Sequence, residues 1–202
     1  LSSVIQKIVE RDPKTKRDEW DKDELEGVRT PGFIWERAMG EHAREVNTDL
    51  DLVYPGEMFW CRECDDYLNG VDEDGRNPAG EHCAETGHRG IYFTPDALLT
   101  PGPRVIEWKY TWMSSKRAYD VMPDGELIVH LDGLQKWVWQ LGWACPCFGT
   151  RLAQIQVMFS RGDYTSGRPK VDAKVIDIEF LESDLRRVKA LIVSNAVAEG
   201  LL

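Results

Sequence analysis

The 202-residue sequence predicts an α/β fold in which a mixed central β-sheet is flanked by helices and carries a small zinc-binding insertion. Three observations predict it. Strand-like runs surround the turn Thr100-Pro101-Gly102-Pro103, helical periodicity lies before and after that hairpin, and a cysteine- and histidine-bearing stretch of low apolar content precedes it. Hydrophobic residues are 42% of the chain, enough for a core in one domain with an insertion.

Residues 1–29 read as an N-terminal helix and a charged linker. Val4, Ile5, Ile8 and Val9 recur at helical spacing, whereas Asp12 to Glu26 is almost wholly charged apart from Trp20. Residues 30–202 form the main domain, which opens at Thr30-Pro31 with a capping hydroxyl and a first-turn proline. The helix that follows runs to about Val46. Trp35, Met39, His42 and Val46 share one face, and Glu36, Gly40 and Ala43 the next, where the small residues allow close approach to a sheet and leave Glu36 facing inward.

The insertion spans about 57–90. Cys61-Arg62-Glu63-Cys64 is a two-thiolate knuckle, and Cys83 and His88, after eighteen intervening residues, have the spacing of the second half of a tetrahedral site. Between them Asp65 to Glu81 holds three glycines, a proline and few apolar residues, so a metal is expected to hold it. Zn²⁺ is therefore assigned to Cys61, Cys64, Cys83 and His88 in a structural role, with His82 as a spare donor able to replace either late ligand.

The hairpin carries the chemistry. The midpoint between Asp96 and Glu107 falls between Pro101 and Gly102, so a reversal there sets the two carboxylates opposite each other on neighbouring strands. Like charges about 5 Å apart are destabilising unless a cation lies between them. Alternation puts Val105, Glu107, Lys109 and Thr111 on one face of the second strand and Ile106, Trp108, Tyr110 and Trp112 on the other. Two carboxylates and a lysine at one end of an apolar hairpin suit a hard divalent cation and a phosphate.

Beyond the hairpin, Lys116 and Arg117 are candidates for phosphate contact in a polar loop, and Pro123-Asp124-Gly125-Glu126 reads as a turn. Asp132, with Gln135 three residues on, is expected to cap a helix whose buried stripe is Leu134, Trp137, Val138, Leu141 and Cys145. Lys136, Gln140 and Trp143 line the adjacent face, with Lys136 and Trp143 as further nucleic-acid contacts, and Pro146 ends the helix. Cys145 and Cys147 are read as structural thiols. Strands are expected at 154–159 and 171–180 around a loop at 161–169, then a last helix capped by Ser183 and stopped near Gly200.

Pro95-Asp96, ten intervening residues, then Glu107-Trp108-Lys109 resembles the signature of the PD-(D/E)xK nucleases. Gln140-Leu141-Gly142-Trp143-Ala144 is similar to the Gln-Leu-x-x-Tyr motif of the RecB-like branch, with tryptophan supplying the aromatic ring. The closing hairpin and amphipathic helix resemble the end of RecB-like and Cas4-like domains, so the likeness covers roughly Thr30 to Leu202 apart from the insertion. It implies a restriction-endonuclease-like core and a metal-dependent DNA nuclease, an exonuclease of phage or bacterial recombination or repair. By the same resemblance Asp96, Glu107 and Glu36 hold Mg²⁺ or Mn²⁺, Lys109 assists water attack on phosphorus, and Gln140 orients water or phosphate. Implied partners are DNA ends, a homo-oligomer or a recombination protein.

The formal net charge of −10 argues against a protein that coats nucleic acid nonspecifically. It favours the alternative of a noncatalytic, zinc-stabilised binding module on a degenerate nuclease fold. No run approaches a membrane span and Leu1 to Glu10 lacks a signal-peptide pattern, so an intracellular location is expected, and the resemblance implies the cytoplasm of a bacterial cell or phage-infected host.

Overall fold

The computed structural model of the chain describes residues 37–41, 51–68, 83, 85–111, 115–124, 127–159 and 172–202. The expected segments at 2–11 and 12–26, the loop at 161–169 and all of the helix at 30–46 except 37–41 lie outside the described residues. The architecture is mixed α/β.

Its central sheet has the order β1-β5-β6-β9-β10, formed by Asp51–Val53, Ala97–Thr100, Arg104–Thr111, Leu152–Phe159 and Asp172–Glu179. Neighbours are antiparallel except β6 and β9, which run parallel with Val105 opposite Ala153 and Lys109 opposite Val157. A parallel pair cannot be joined by a tight turn. The connection instead carries the helix α1, Leu131–Ala144, which packs with α2, Glu182–Ala198, against one face of the sheet.

Central strands covered on both faces need apolar residues at consecutive positions. In β6, Val105 joins the core shared with Leu134, Leu141, Ile155, Val188 and Ile192, while Ile106 and Trp108 join Ala97 and Leu99 on the opposite face. The expected alternation is therefore present. Residues 37–41 are helical and Met39 packs on that second face. Gly40 is what permits the approach, since a Cβ there would lie 2.3 Å from the Tyr54 hydroxyl oxygen and 3.4 Å from Trp108 Cη2.

The insertion builds a second, three-stranded antiparallel sheet of order β3-β2-β4, in which β2 is Met58–Cys61, β3 is Asp66–Leu68 and β4 is Gly90–Phe93. It is docked by aromatics. Trp143 of α1 meets Trp60 at 5.4 Å, Tyr67 at 5.8 Å and Phe93 at 6.2 Å between ring centroids, all steeply tilted edge-to-face contacts. Lys189 of α2 lies over both Trp60 and Tyr67 and pairs with Asp65 at 2.7 Å. A small hairpin of β7, Tyr119–Val121, and β8, Leu127–Val129, flanks the expected turn at Pro123-Asp124.

Two capping expectations are corrected. Asp132 does not cap α1: the helix begins at Leu131 behind His130, with no side-chain cap. The approach of the chain is fixed instead by His130, whose amide donates to the Ala118 carbonyl and whose ring meets Asp120 at 2.9 Å. Ser183 does not cap α2 either; Asp184 accepts the Leu181 amide at 3.2 Å, because a carboxylate three residues into the helix reaches back to the exposed N–H groups. The stop near Gly200 holds, with φ +69° there and the Leu201 amide donating to Ala196. Among the described residues no helix is long and apolar enough to cross a membrane.

Candidate functional site

Two sites emerge, one at each end of the strand β4. At the β2 end, Cys61 closes the strand and the turn Arg62 to Asp65 brings Cys64 back beside it, with Asp65 at φ +51°. The Cys64 amide points at Cys61 Sγ from 3.4 Å, and Glu63 accepts the Arg89 amide at 2.8 Å, which ties the knuckle to the run into β4. Gly90 is required at that junction. A Cβ there would lie 2.2 Å from both the Phe59 ring and the Trp60 carbonyl oxygen.

Cys83 and His88 complete the set, and the four donor atoms lie within 4.8 Å of one another. His88 Nδ1 is 3.4, 3.7 and 3.6 Å from the sulfurs of Cys61, Cys64 and Cys83, and Cys64 and Cys83 are 4.0 Å apart. A tetrahedral zinc ion, about 2.3 Å from sulfur and about 2.0–2.1 Å from nitrogen, sets sulfur–sulfur edges of about 3.8 Å and sulfur–nitrogen edges of about 3.6 Å. The three sulfur–nitrogen distances and the Cys64–Cys83 distance are already close to those edges. Hydrogen bonding to Cys61, then desolvation and hydrogen bonding to Cys83, push the Cys64 thiol up to about 12. This Cys₃His group can hold a metal ion of the zinc type. His82 lies outside the described residues.

At the other end β4 passes through Thr94 and Pro95 into Asp96. The hairpin register runs Ala97 opposite Ile106, Leu98 opposite Val105 and Leu99 opposite Arg104, so its continuation sets Asp96 opposite Glu107, as expected from the sequence. Asp96 Oδ2 accepts the Trp108 amide at 2.7 Å. Lys109 Nζ lies 2.5 Å from Glu107 and 3.5 Å from Asp96. The ammonium sits between the two carboxylates. Glu107 is only 5% exposed, and a carboxylate that dry requires a cation beside it.

Behind this group a chain of side-chain amides crosses the sheet. The Trp108 indole donates to Gln156, Gln156 donates to Gln154, and Gln154 donates to Asp177, which also meets Arg104 at 2.9 Å. A cavity of about 450 Å³ opens beside Asp96, lined by Arg37, Tyr54, Gly56, Thr94, Pro95 and Trp108. Neither Arg37 nor Tyr54 stood out in the sequence. Only Tyr54-Pro55-Gly56, an aromatic ahead of a turn, offered any signal.

No family model and no curated protein matches this chain. A solved structure described as "Crystal structure of SSO0001" aligns over 95% of this chain and 84% of that one, at 12% identity and a TM-score of 0.37, too distant to carry an argument.

The remaining expected residues are placed unevenly. Gln140 is half-buried on α1, Lys136 is half-buried one turn earlier, and Lys116 is exposed on the short 3₁₀ turn Ser115–Arg117 that also contains Arg117. Glu36 lies outside the described residues. Trp143 requires a correction: it is fully buried in the aromatic cluster and presents no face to a base. Counted residue by residue, the tyrosine position of the Gln-Leu-x-x-Tyr motif falls on Ala144, which is buried as well. Cys145 and Cys147 behave as structural thiols, both raised to about 12, first by desolvation.

Proposed function

We propose that this protein is a metal-dependent DNA nuclease on a restriction-endonuclease-like core, acting as an exonuclease in recombination or repair. The observation that carries the reading is the seat of Lys109 between Asp96 and Glu107. The ammonium there is a stand-in for a larger positive charge, and the two carboxylates fit Mg²⁺ or Mn²⁺, which binds one or two carboxylates and substrate oxygens. Support also comes from the order of the elements: a hairpin bearing both acids, a crossover helix bearing Gln140, and a strand parallel to β6.

When bound, the cation would supply Lewis-acid stabilisation of the phosphate and a lowered pKa for attacking water. The protein's own groups do the rest. The Trp108 amide fixes one oxygen of Asp96, Glu107 is kept dry by β6 and its neighbours, and Lys109 turns from the carboxylates toward the negative charge that develops on phosphorus-bound oxygen. The Cys₃His clip takes Zn²⁺ in a closed, structural role, because four protein donors leave no open position.

The test is cleavage of end-labelled linear and closed circular DNA by zinc-loaded protein with Mg²⁺, Mn²⁺ or no added divalent cation, alongside Glu107→Gln and Lys109→Ala. Expected is metal-dependent loss of linear DNA, reduced by at least about 100-fold in both variants, with circles spared. Cutting of circles would make it an endonuclease. Absence of cleavage from folded protein would leave the noncatalytic binding module.

A further inference from the structure

The cavity beside Asp96 has features that the nuclease reading does not use. Its volume of about 450 Å³ is at the scale of one small-molecule ligand, within the roughly 300–1,000 Å³ of such sites. Asp96 is part of its lining. The same carboxylate stands 3.5 Å from Lys109, so a phosphate held at Asp96 has room for its adjoining sugar and base in the cavity.

Tyr54 forms one wall and is held in place at two points. Its hydroxyl end packs against the helical segment at Gly40, where a Cβ would stand 2.3 Å away, and its ring leans on Trp108 at 6.0 Å with a 59° tilt. The residue nevertheless remains 47% exposed, whereas Trp108 beneath it is 2% exposed. A fixed, half-exposed aromatic ring beside an acid is a ready stacking surface, because little side-chain freedom remains to be lost when a planar ligand covers it. Arg37 also lines the cavity and is exposed, with its ion pair to Glu41 made through Nε. Its outer guanidinium nitrogens suit a flanking phosphate.

We propose that this cavity holds one unpaired nucleoside, its base laid on the Tyr54 ring, so that the protein works on single-stranded ends or overhangs. The inference rests on the nuclease reading and narrows its substrate. Bases inside a duplex have both faces covered by their neighbours, so only an unpaired or extruded base can present a face to Tyr54.

The experiment uses the full zinc-loaded chain with Ca²⁺ in place of Mg²⁺ for binding, and Mg²⁺ for turnover. Affinity and kcat/KM are measured for a single-stranded oligonucleotide and for the matching blunt duplex, in the wild type, Tyr54→Ala, Tyr54→Phe and Glu107→Gln. Tyr54→Ala is expected to weaken single-stranded binding about tenfold, with a much smaller change for the duplex, and Tyr54→Phe to restore it. Equal losses on both substrates, or a phenylalanine variant as weak as the alanine variant, would mean that Tyr54 is only a structural prop and overturn the inference. Glu107→Gln separates the two readings. If it abolishes cleavage while the Tyr54 variants leave strand preference untouched, the nuclease reading stands and this inference falls; if the wild type neither binds nor cleaves DNA, both fall.

Discussion

The zinc clip and the carboxylate site both gather groups that repel one another when ionised, yet they resolve the repulsion differently. In the clip, three sulfurs and an imidazole meet, and hydrogen bonding to Cys61 leads the causes that drive the Cys64 thiol up to about 12. In the carboxylate site Lys109 supplies the positive charge itself. The clip has four donors that a zinc-type ion could neutralise, whereas the acids already face an ammonium from the chain, which any divalent cation would have to displace. On the proposed reading, metal binding is folding energy at one end of β4 and a reversible, functional event at the other.

Removal of zinc should have the largest effect. Structural zinc contributes about 10–16 kcal/mol of apparent binding energy in small zinc-dependent peptides. Cys64→Ser or a strong chelator should lower bound zinc below one per chain and collapse amide-exchange protection in β2, β3 and β4, while β6 and β9 keep theirs. Unchanged protection in the second sheet would remove the distinction between the sites.

A smaller effect is expected from Lys109→Ala. It leaves Asp96 and the buried Glu107 facing each other, with an expected cost of about 1–3 kcal/mol, below the roughly 3–5 kcal/mol of a fully buried broken pair because Asp96 and Lys109 are partly solvated. Millimolar Mg²⁺ should return most of that loss in a thermal melt, whereas the wild-type Tm should barely respond. A variant whose Tm ignores Mg²⁺ would argue that the carboxylates do not share a cation site.

The weakest link is the exposed pair that ties the clip to α2. Asp65→Asn deletes the carboxylate facing Lys189 but keeps a residue that tolerates the φ of +51° there. It should change stability by about 0–1 kcal/mol, as exposed pairs do. A larger drop in a urea melt would mean that the aromatic and lysine contacts between the two sheets depend on this charge.

Much of this was legible before any coordinates. The spacing Cys61, Cys64, Cys83, His88 is local chemistry, since two residues between thiols already fix a turn that converges on a metal. The opposition of Asp96 and Glu107 was equally readable, because hairpin register follows from where the turn is centred, and the observed pairing of Ala97 with Ile106 agrees. The positions of α1 and α2 followed the periodicity to within a residue or two. Their caps did not, because contacts from β7 and an acid at the third helical position outweighed the residues expected to cap.

Tertiary packing alone decided the rest. Helical periodicity gives Trp143 a face but not a neighbour, and only the docking of a second sheet against α1 turned that face into core. Tyr54 and Arg37 are distant from Asp96 in sequence, with nothing in their spacing to relate them to it; the close approach at Gly40 assembled the cavity. Turns, knuckles and strand registers are set by torsions and distances within a few residues, so the sequence by itself determined them. Which aromatic is buried, and which is left exposed, depends on surfaces that come together only after the sheets and helices have packed.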